Sequence, residues 1–309
     1  MAQLRPLSEE LQKAAIEQLN EVPERIPSDL EALKTWIKQQ PYLNIRTDDQ
    51  FLIAFLRGCK YSLEKAKAKI DKFYTLRTKY PDLFQCSDVD NPRFREILRL
   101  GVMNYLPKPT PDGQAIVIMR SGVYDANDYT IEEIFKTAQN VAQITLMEND
   151  NANINGVIAI IDLSKATAAH FVQMSPGLMK KMTVFSEEAV PLRPKANHFF
   201  NTPSFFEPLF NMMKPMLSKK QQNRLFVHGN NLESLYASVP KESLPKDYGG
   251  ESDSIEEITA YWDKKMDEYR DYFKEEINYG TNEKLRPGKP IDFDNLFGME
   301  GSFRKLNVD

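Results

Sequence analysis

Three histidines, His170, His198 and His228, and two cysteines, Cys59 and Cys86, are the side chains of this 309-residue chain best suited to bind a metal or attack a carbonyl. Their spacing decides what chemistry is open to it. A zinc site draws its ligands from Cys-x-x-Cys or His-x-x-x-His pairs, and neither spacing occurs. The Gly-x-Ser-x-Gly elbow, the Gly-x-Gly-x-x-Gly fingerprint and the phosphate-loop lysine motif are missing as well. "HGNN" at 228–231 resembles an oxyanion-hole loop, but without a nucleophile motif a strand-to-helix turn is the better reading. Asp162 closes an apolar run, where it is either a catalytic carboxylate or the cap of the next turn. Two cysteines are too few for a disulfide framework, so both are expected to be free thiols without a catalytic role, in a reducing compartment. On these residues the chain is expected to be no enzyme, to hold no metal and to need no cofactor.

The other chemistry a protein can do is to bind. A net charge of -4 and a pI near 5.6 give no global attraction to nucleic acid or anionic membranes, so any such partner must meet a local basic patch. The start, "MAQLRPLSEELQKAA", has acids where a signal peptide has its apolar run, and the longest uninterrupted apolar run is "GVIAII" at 156–161, far short of a membrane span. The expectation is a cytoplasmic protein that associates with membranes only transiently.

"NTPSFFEPLFNMMKPMLSKK", residues 201–220, is the segment that points to a partner. An aromatic and Met stripe usually means core packing. Here large apolar residues cover more than one stripe of the helical wheel, and Pro208 and Pro215 each delete a backbone hydrogen bond and invite a bend. Met-rich surfaces adapt to irregular partners. A bent helix with two apolar faces suits a lid. Arg193 and Lys195 precede it and Lys219, Lys220 and Arg224 follow it, a pattern that fits docking on anionic headgroups.

The elements that must position this lid fall into two textures. Up to about residue 80 the chain reads as short helices. Ser28 with Glu31 and Thr47 with Gln50 form capping-box patterns, and Ser62 opens a helix carrying Ala66, Ile70, Phe73 and Tyr74 up to Pro81. From about residue 93 helix and strand alternate, the mark of an α/β domain. "QAIVIMRSG", "GVIAIIDL", "ANHFF" and "RLFVHG" read as strands, with helices at 131–142 and 175–189 and another beginning near Asn231. Residues 254–278 read as one amphipathic helix capped by Ser254 and Glu257, with Ile258, Trp262, Met266, Tyr269 and Phe273 inward. The division expected is 1–92, 93–253 and 254–309.

These segments resemble the CRAL-TRIO (Sec14-like) lipid-binding family, in its branch of tocopherol-transfer and retinaldehyde-binding proteins. "DDQFLIAFLRGCKYSLEKAKAKI" is similar to the signature of the family's N-terminal helical domain (CRAL-TRIO-N), with Gly58 and Cys59 where many members have Ala-Arg. "NGVIAIIDLS", "EAVPLRPKANHFFNTPSFFEPLFNMMKPML" and "RLFVHGNNLESLYASVPKESLPKDYGG" resemble successive core segments of its lipid-binding domain, in the family's order. The tail "LFGMEGSFRKL" is similar to that of insect members. The resemblance implies a Sec14-like α/β domain whose cavity lies between sheet and helices, closed by a mobile gate helix at about 201–224. It implies no catalytic residues, and a phosphoinositide site at Arg193, Lys195, Lys220 and Arg224, with lysine and arginine exchanged at the first two. The cavity would be lined by the gate's Leu209, Met213 and Leu217, by Phe135, Ala138 and Ala142, by Val157, Ala159 and Ile161, and by Met174, Met182, Phe185, Leu192 and Phe199. Ala138, Ala142 and Ala159 are small where a packed core would prefer larger side chains, which leaves room for a guest.

The implied function is that of a monomeric carrier moving a tocopherol, retinoid, carotenoid or other lipid between membranes, docking on phosphatidylinositol phosphates and with no nucleic-acid partner. The alternatives are a phosphoinositide-sensing adaptor with a structural lipid in its pocket, and an enzyme acting on a lipid.

Overall fold

Short helices fill the first hundred residues because each apolar stripe there spans only a few turns before a breaker ends it. A computed structural model describes residues 3–217, 219–293 and 297, the side chains of 209, 212, 213 and 216 excepted. α1 (Glu9–Leu19) is capped by Ser8 and packs Ala15 and Leu19 on Ile154. α2 (Ile26–Lys38) begins ahead of the expected Ser28 cap. Pro27 fits the first turn, where its missing N–H costs nothing, and the Ser28 hydroxyl donates to the Arg25 carbonyl instead. After β1 (Leu43–Asn44), α3 (Asp49–Gly58) is preceded by Asp48 rather than capped by Thr47, and Gln50 accepts the Arg5 N–H instead of closing a box. α4 (Leu63–Lys79) follows Ser62 as expected and turns Ala66, Ile70, Phe73 and Tyr74 inward. Phe51, Phe55, Phe73 and Tyr74 form an edge-to-face cluster with centroids 5.1–5.6 Å apart along its chain of contacts. α5 (Pro81–Phe84) and α6 (Pro92–Arg99) lead into the second half. Cys59 and Cys86 are buried free thiols, and burial pushes the Cys86 thiol up to about 12.

The second half is built on a sheet of order β2-β3-β4-β5-β6. β2 (Met103–Tyr105) pairs antiparallel with β3 (Ala115–Arg120), and β3, β4 (Val157–Asp162), β5 (Pro194–Phe200) and β6 (Leu225–Val227) run parallel. α7 (Ile131–Glu148), with a Thr130–Glu133 capping box, and α8 (Asp150–Asn155) connect β3 to β4. α9 (Ala168–Gln173), α10 (Pro176–Val184) and a π-helical turn at Phe185–Ala189 connect β4 to β5. α11 (Phe206–Met213), a 3-10 turn at Lys214–Met216 and α12 (Lys219–Gln222) connect β5 to β6. Each crossover moves one strand along in the same direction, and parallel crossovers are right-handed, so all three helical connections lie on one face of the sheet.

The other face is covered by later elements. After α13 (Leu232–Tyr236), α14 (Ile255–Glu268) carries the Ser254–Glu257 capping box and buries Ile258, Trp262 and Met266, and the Trp262 indole N–H donates to the Tyr105 carbonyl at 3.0 Å. The single helix expected over 254–278 breaks at Tyr269, and α15 (Arg270–Glu276) continues with Phe273 and Glu276 inward. β7 (Gly280–Thr281) then pairs with β1, joining the end of the chain to the helical half. Phe297 is buried; the rest of "LFGMEGSFRKL" lies outside the described residues. No helix among the described residues is long and apolar enough to cross a membrane.

Candidate functional site

The two faces of the sheet are packed differently. Toward α13 and α14, Ile116, Ile118, Ile158, Ile160, His198 and Phe200 are sealed. On the side of the helical crossovers Val117, Val157 and Ala159 are buried, but Met119, Ile161, Asn197 and Phe199 remain partly accessible although β3, β4 and β5 are interior strands, as does Leu225 on the edge strand β6. Met174, Met182, Phe135 and Ala142, on the helical layer, are likewise only half-buried, while Ala138 is buried. Side chains between two layers stay accessible only where the layers do not fill the space between them.

The segment expected to form a gate lies over this face. Phe206 and Phe210 stack at 5.5 Å, and both rings close on Phe199, at 5.2 and 5.6 Å. Phe206 also approaches Phe171 of α9, and Ile161 joins the same cluster. Pro208 stands in the first turn of α11, where its missing N–H deletes no helical hydrogen bond, and Pro215 inside the 3-10 turn in which the α-helix ends. Phe205 points the other way. It is 39% exposed, edge-to-face with Phe171 and near the exposed Val172.

Of the residues expected to line a cavity, Phe135, Ala138 and Ala142 share α7, and Val157, Ala159 and Ile161 share the gate-side face of β4. Phe199 lies beside Ile161 in register. Met174 follows α9, Met182 is on α10, Leu192 is buried before β5, and Leu217 follows the 3-10 turn, half-buried. The side chains of Leu209 and Met213 lie outside the described residues. Phe185 goes elsewhere: it stacks on Phe84 at 4.2 Å and Phe73 at 5.8 Å, filling the junction with the helical half rather than an open wall.

The basic residues gather at the β5 end of this layer. Lys195 has its pKa lowered by burial and then by the positive charges of Arg193, Arg224 and Lys60, so four cations crowd one spot. Among the described residues Lys60, Lys195, Lys220 and Arg224 have no carboxylate partner. Arg193 is partly spent on the fold: its guanidinium donates to the Ile154 carbonyl and burial lowers its pKa. Lys220 is exposed on α12, ahead of Arg224. Lys60 was not anticipated. It comes from the helical half, in a left-handed turn held by Tyr61, whose hydroxyl donates to Glu21 at 2.7 Å. What delivers it is Gly58, because a Cβ there would meet the Pro191 carbonyl oxygen at 2.1 Å. Only glycine lets α3 come this close to the loop that carries Arg193.

Residues 100–250 match the CRAL/TRIO domain, and residues 22–94 match the Pinta-like UBA domain. The alpha-tocopherol transfer protein-like protein of Mus musculus is 31% identical over 260 residues, 83% of this chain and 74% of the relative. The chain belongs to the CRAL/TRIO family. Members of this family bind and transfer lipids. Clavesin-2 of Homo sapiens is 28% identical over 243 residues, covering 78% of this chain and 74% of the relative. The crystal structure of Sfh5 overlaps 85% of this chain and 99% of its own, at 10% identity and a TM-score of 0.45.

Within the CRAL/TRIO region Asp162, His198 and His228 are tied into the hydrogen bonding of the fold. Asp162 accepts from the Ser164 N–H (2.9 Å), the Asn201 amide (2.9 Å) and the Tyr248 hydroxyl (2.6 Å), so "LPKDYGG" reaches back to the end of β4. Asn201, the first gate residue, holds a left-handed φ of 50°. At the other end His228 accepts or donates to His198 at 2.9 Å and Ser234 at 2.8 Å, and Asn231 caps α13, so "HGNN" is the strand-to-helix turn it reads as. Gln221 of α12 donates to Glu187 of the π-helical turn at 2.9 Å. No metal-binding group of His, Cys, Asp or Glu occurs among the described residues.

Proposed function

We propose that this CRAL/TRIO protein is a carrier that holds one hydrophobic small molecule between the sheet and its helical layer, and releases or collects it at membranes bearing phosphoinositides. The observation that carries this reading is one juxtaposition. An aromatic gate closes over one face of the sheet beyond the C-terminal end of β5, and unneutralised cations gather at the start of β5, where the gate segment returns to β6. Arg193, Lys195, Lys220 and Arg224, with Lys60 beside them, form the headgroup site. The names of the relatives support a lipid cargo, and the absence of a nucleophile motif supports carriage without turnover.

The test is transfer of a fluorescent lipid between vesicles with and without phosphatidylinositol phosphates. Charge reversal of Arg193, Lys195, Lys220 and Arg224 to Glu should abolish the preference for phosphoinositide vesicles while bound lipid stays in place. Each basic residue is worth about 1 kcal/mol near an anionic surface, and added salt should weaken recruitment of the parent. Equal preference and equal transfer by the reversed protein would refute the docking site. Phosphoinositide binding with no accelerated transfer would replace the carrier with an adaptor.

A further inference from the structure

Asn197 is a polar side chain in an apolar row. Register places it beside Ala159, which pairs with Val117, and beside Leu225 on the other side. The next row on the same face holds Met119, Ile161, Phe199 and Val227, and it is on Phe199 that the gate rings close. Successive rows on one face are about 7 Å apart. Asn197 thus stands on the floor just inside the aromatic seal, between it and the basic end of β5 that carries Lys195.

Several inner amides have partners in the fold, though the buried Asn155 carboxamide has none among the described residues. Asn104 donates to Gly101 and Thr259, Asn140 to Ser87, and Asn153 to Leu146. The Asn197 backbone is paired too, its N–H donating to the Arg224 carbonyl at 2.7 Å. Among the described residues its carboxamide makes no hydrogen bond, and it is half-buried on a face covered by the gate layer. A half-buried amide with no partner in the fold keeps its hydrogen-bonding capacity for a guest that supplies an oxygen. Nothing in strand packing calls for asparagine here, since asparagine is depleted in strands and its row neighbours are apolar.

We propose that Asn197 is the polar anchor of the cavity, and that the cargo is a hydrophobic molecule with an uncharged hydroxyl or carbonyl oxygen. The Asn197 carboxamide holds that oxygen while the apolar body lies under the gate along Ile161 and Phe199. The inference rests on the carrier reading above and narrows its cargo, setting unfunctionalised hydrocarbons aside. A site built to hydrogen-bond a group rejects the analogue that lacks it.

Phytol and phytane make a matched pair of probes, one branched chain with and without a hydroxyl. Binding of both is measured to the delipidated full chain, to Asn197→Leu and to Asn197→Ser. The phytol-to-phytane affinity ratio of the parent should exceed that of Asn197→Leu by about tenfold or more, and Asn197→Ser, which keeps a hydroxyl, should retain part of the difference. Comparing ratios cancels the difference in hydration of the two probes. A ratio unchanged within about twofold in Asn197→Leu, with normal loading, would overturn the anchor and leave the carrier intact. Failure of the parent to load either probe, or to carry any co-purifying lipid, would overturn both. Thermal unfolding checks that the leucine variant is folded.

Discussion

His198 and His228 show how one contact can set a pH response. Their rings are stacked and joined at 2.9 Å across β5 and the end of β6, the strands between which the gate is inserted. Burial, then the neighbouring His228, depresses the His198 pKa to about 4, and burial lowers that of His228. The packed Phe226 ring brings no charge, and Ser234 is neutral. The folded state thus favours the neutral rings. The unfolded chain takes up protons first as pH falls below about 6.5, so stability is full above that value and declines until the folded form also protonates near pH 4. By pH 5 the loss from His198 should be on the order of 2 kcal/mol. Urea midpoints of the parent and of His198→Gln at pH 7.5 and 5 measure it: the parent should lose more. An equal loss would mean the pair does not titrate this way. Ala142, half-buried on the wall helix, makes a second point at this scale. Ala142→Trp should fill the space and expel lipid while the fold survives, because a filled cavity still packs. Lipid content by mass spectrometry and the unfolding midpoint check the two halves of that statement.

Among the elements, the gate divides its work between neighbouring rings. Phe206 and Phe210 face inward, so lifting them into water should cost about 1.5–3 kcal/mol each, more than one basic residue gains at an anionic surface. Phe205, already part-exposed beside Val172, is the ring placed to enter a bilayer first. Phe205→Ala should therefore lower vesicle association by about tenfold and leave loaded protein stable, whereas Phe206→Ala should speed loss of bound lipid into buffer. If both variants behave alike in a vesicle-sedimentation and lipid-leak assay, the assignment of faces is wrong. The apolar character of this segment is legible from composition, but which ring faces which way depends on Phe199 and Phe171, outside the segment. β3, β4 and β5 were legible because short apolar runs stand between turn residues. Capping patterns misled where a second partner competed, as Pro27 and Arg5 did for Ser28 and Gln50. The β1–β7 ribbon was illegible, since strands of two residues have no period and their partners are distant. Lys60 escaped for the same reason: its place at the basic cluster comes from the close approach of Gly58 to Pro191, not from any local pattern.

Across the whole molecule, a buried ionic node holds helices of the N-terminal half and of the C-terminal region against α7. Glu276 is fully buried, with one oxygen on Arg46 at 2.8 Å and the other on Arg77 at 2.9 Å. Arg77 donates on to Gln143 of α7 at 2.9 Å, and Gln143 donates to the Tyr272 hydroxyl at 2.7 Å. The node thus ties α4, α7 and α15 together, across both boundaries expected near residues 92 and 253. Such a cluster is weak evidence for stability as a whole, because bringing its charges out of water costs about what their attraction returns. Removing one member is a different matter. Glu276→Gln keeps the shape and most of the hydrogen bonding but leaves the Arg77 guanidinium, nearly inaccessible to water, without a counter-charge, while Arg46 keeps Asp48 and Glu275. The loss should be about 3–5 kcal/mol. Arg99→Ala removes an exposed partner of Asp263 and should cost under about 1 kcal/mol. Urea unfolding of the two variants measures the contrast. Because Gln143 and Ala142 are adjacent on α7, a loosened node should also quicken lipid loss in Glu276→Gln below its unfolding midpoint. A variant as stable as the parent would mean that the buried Arg77 charge is tolerated without its counter-ion, and that these helices are held by packing around Phe273 and Trp262 instead.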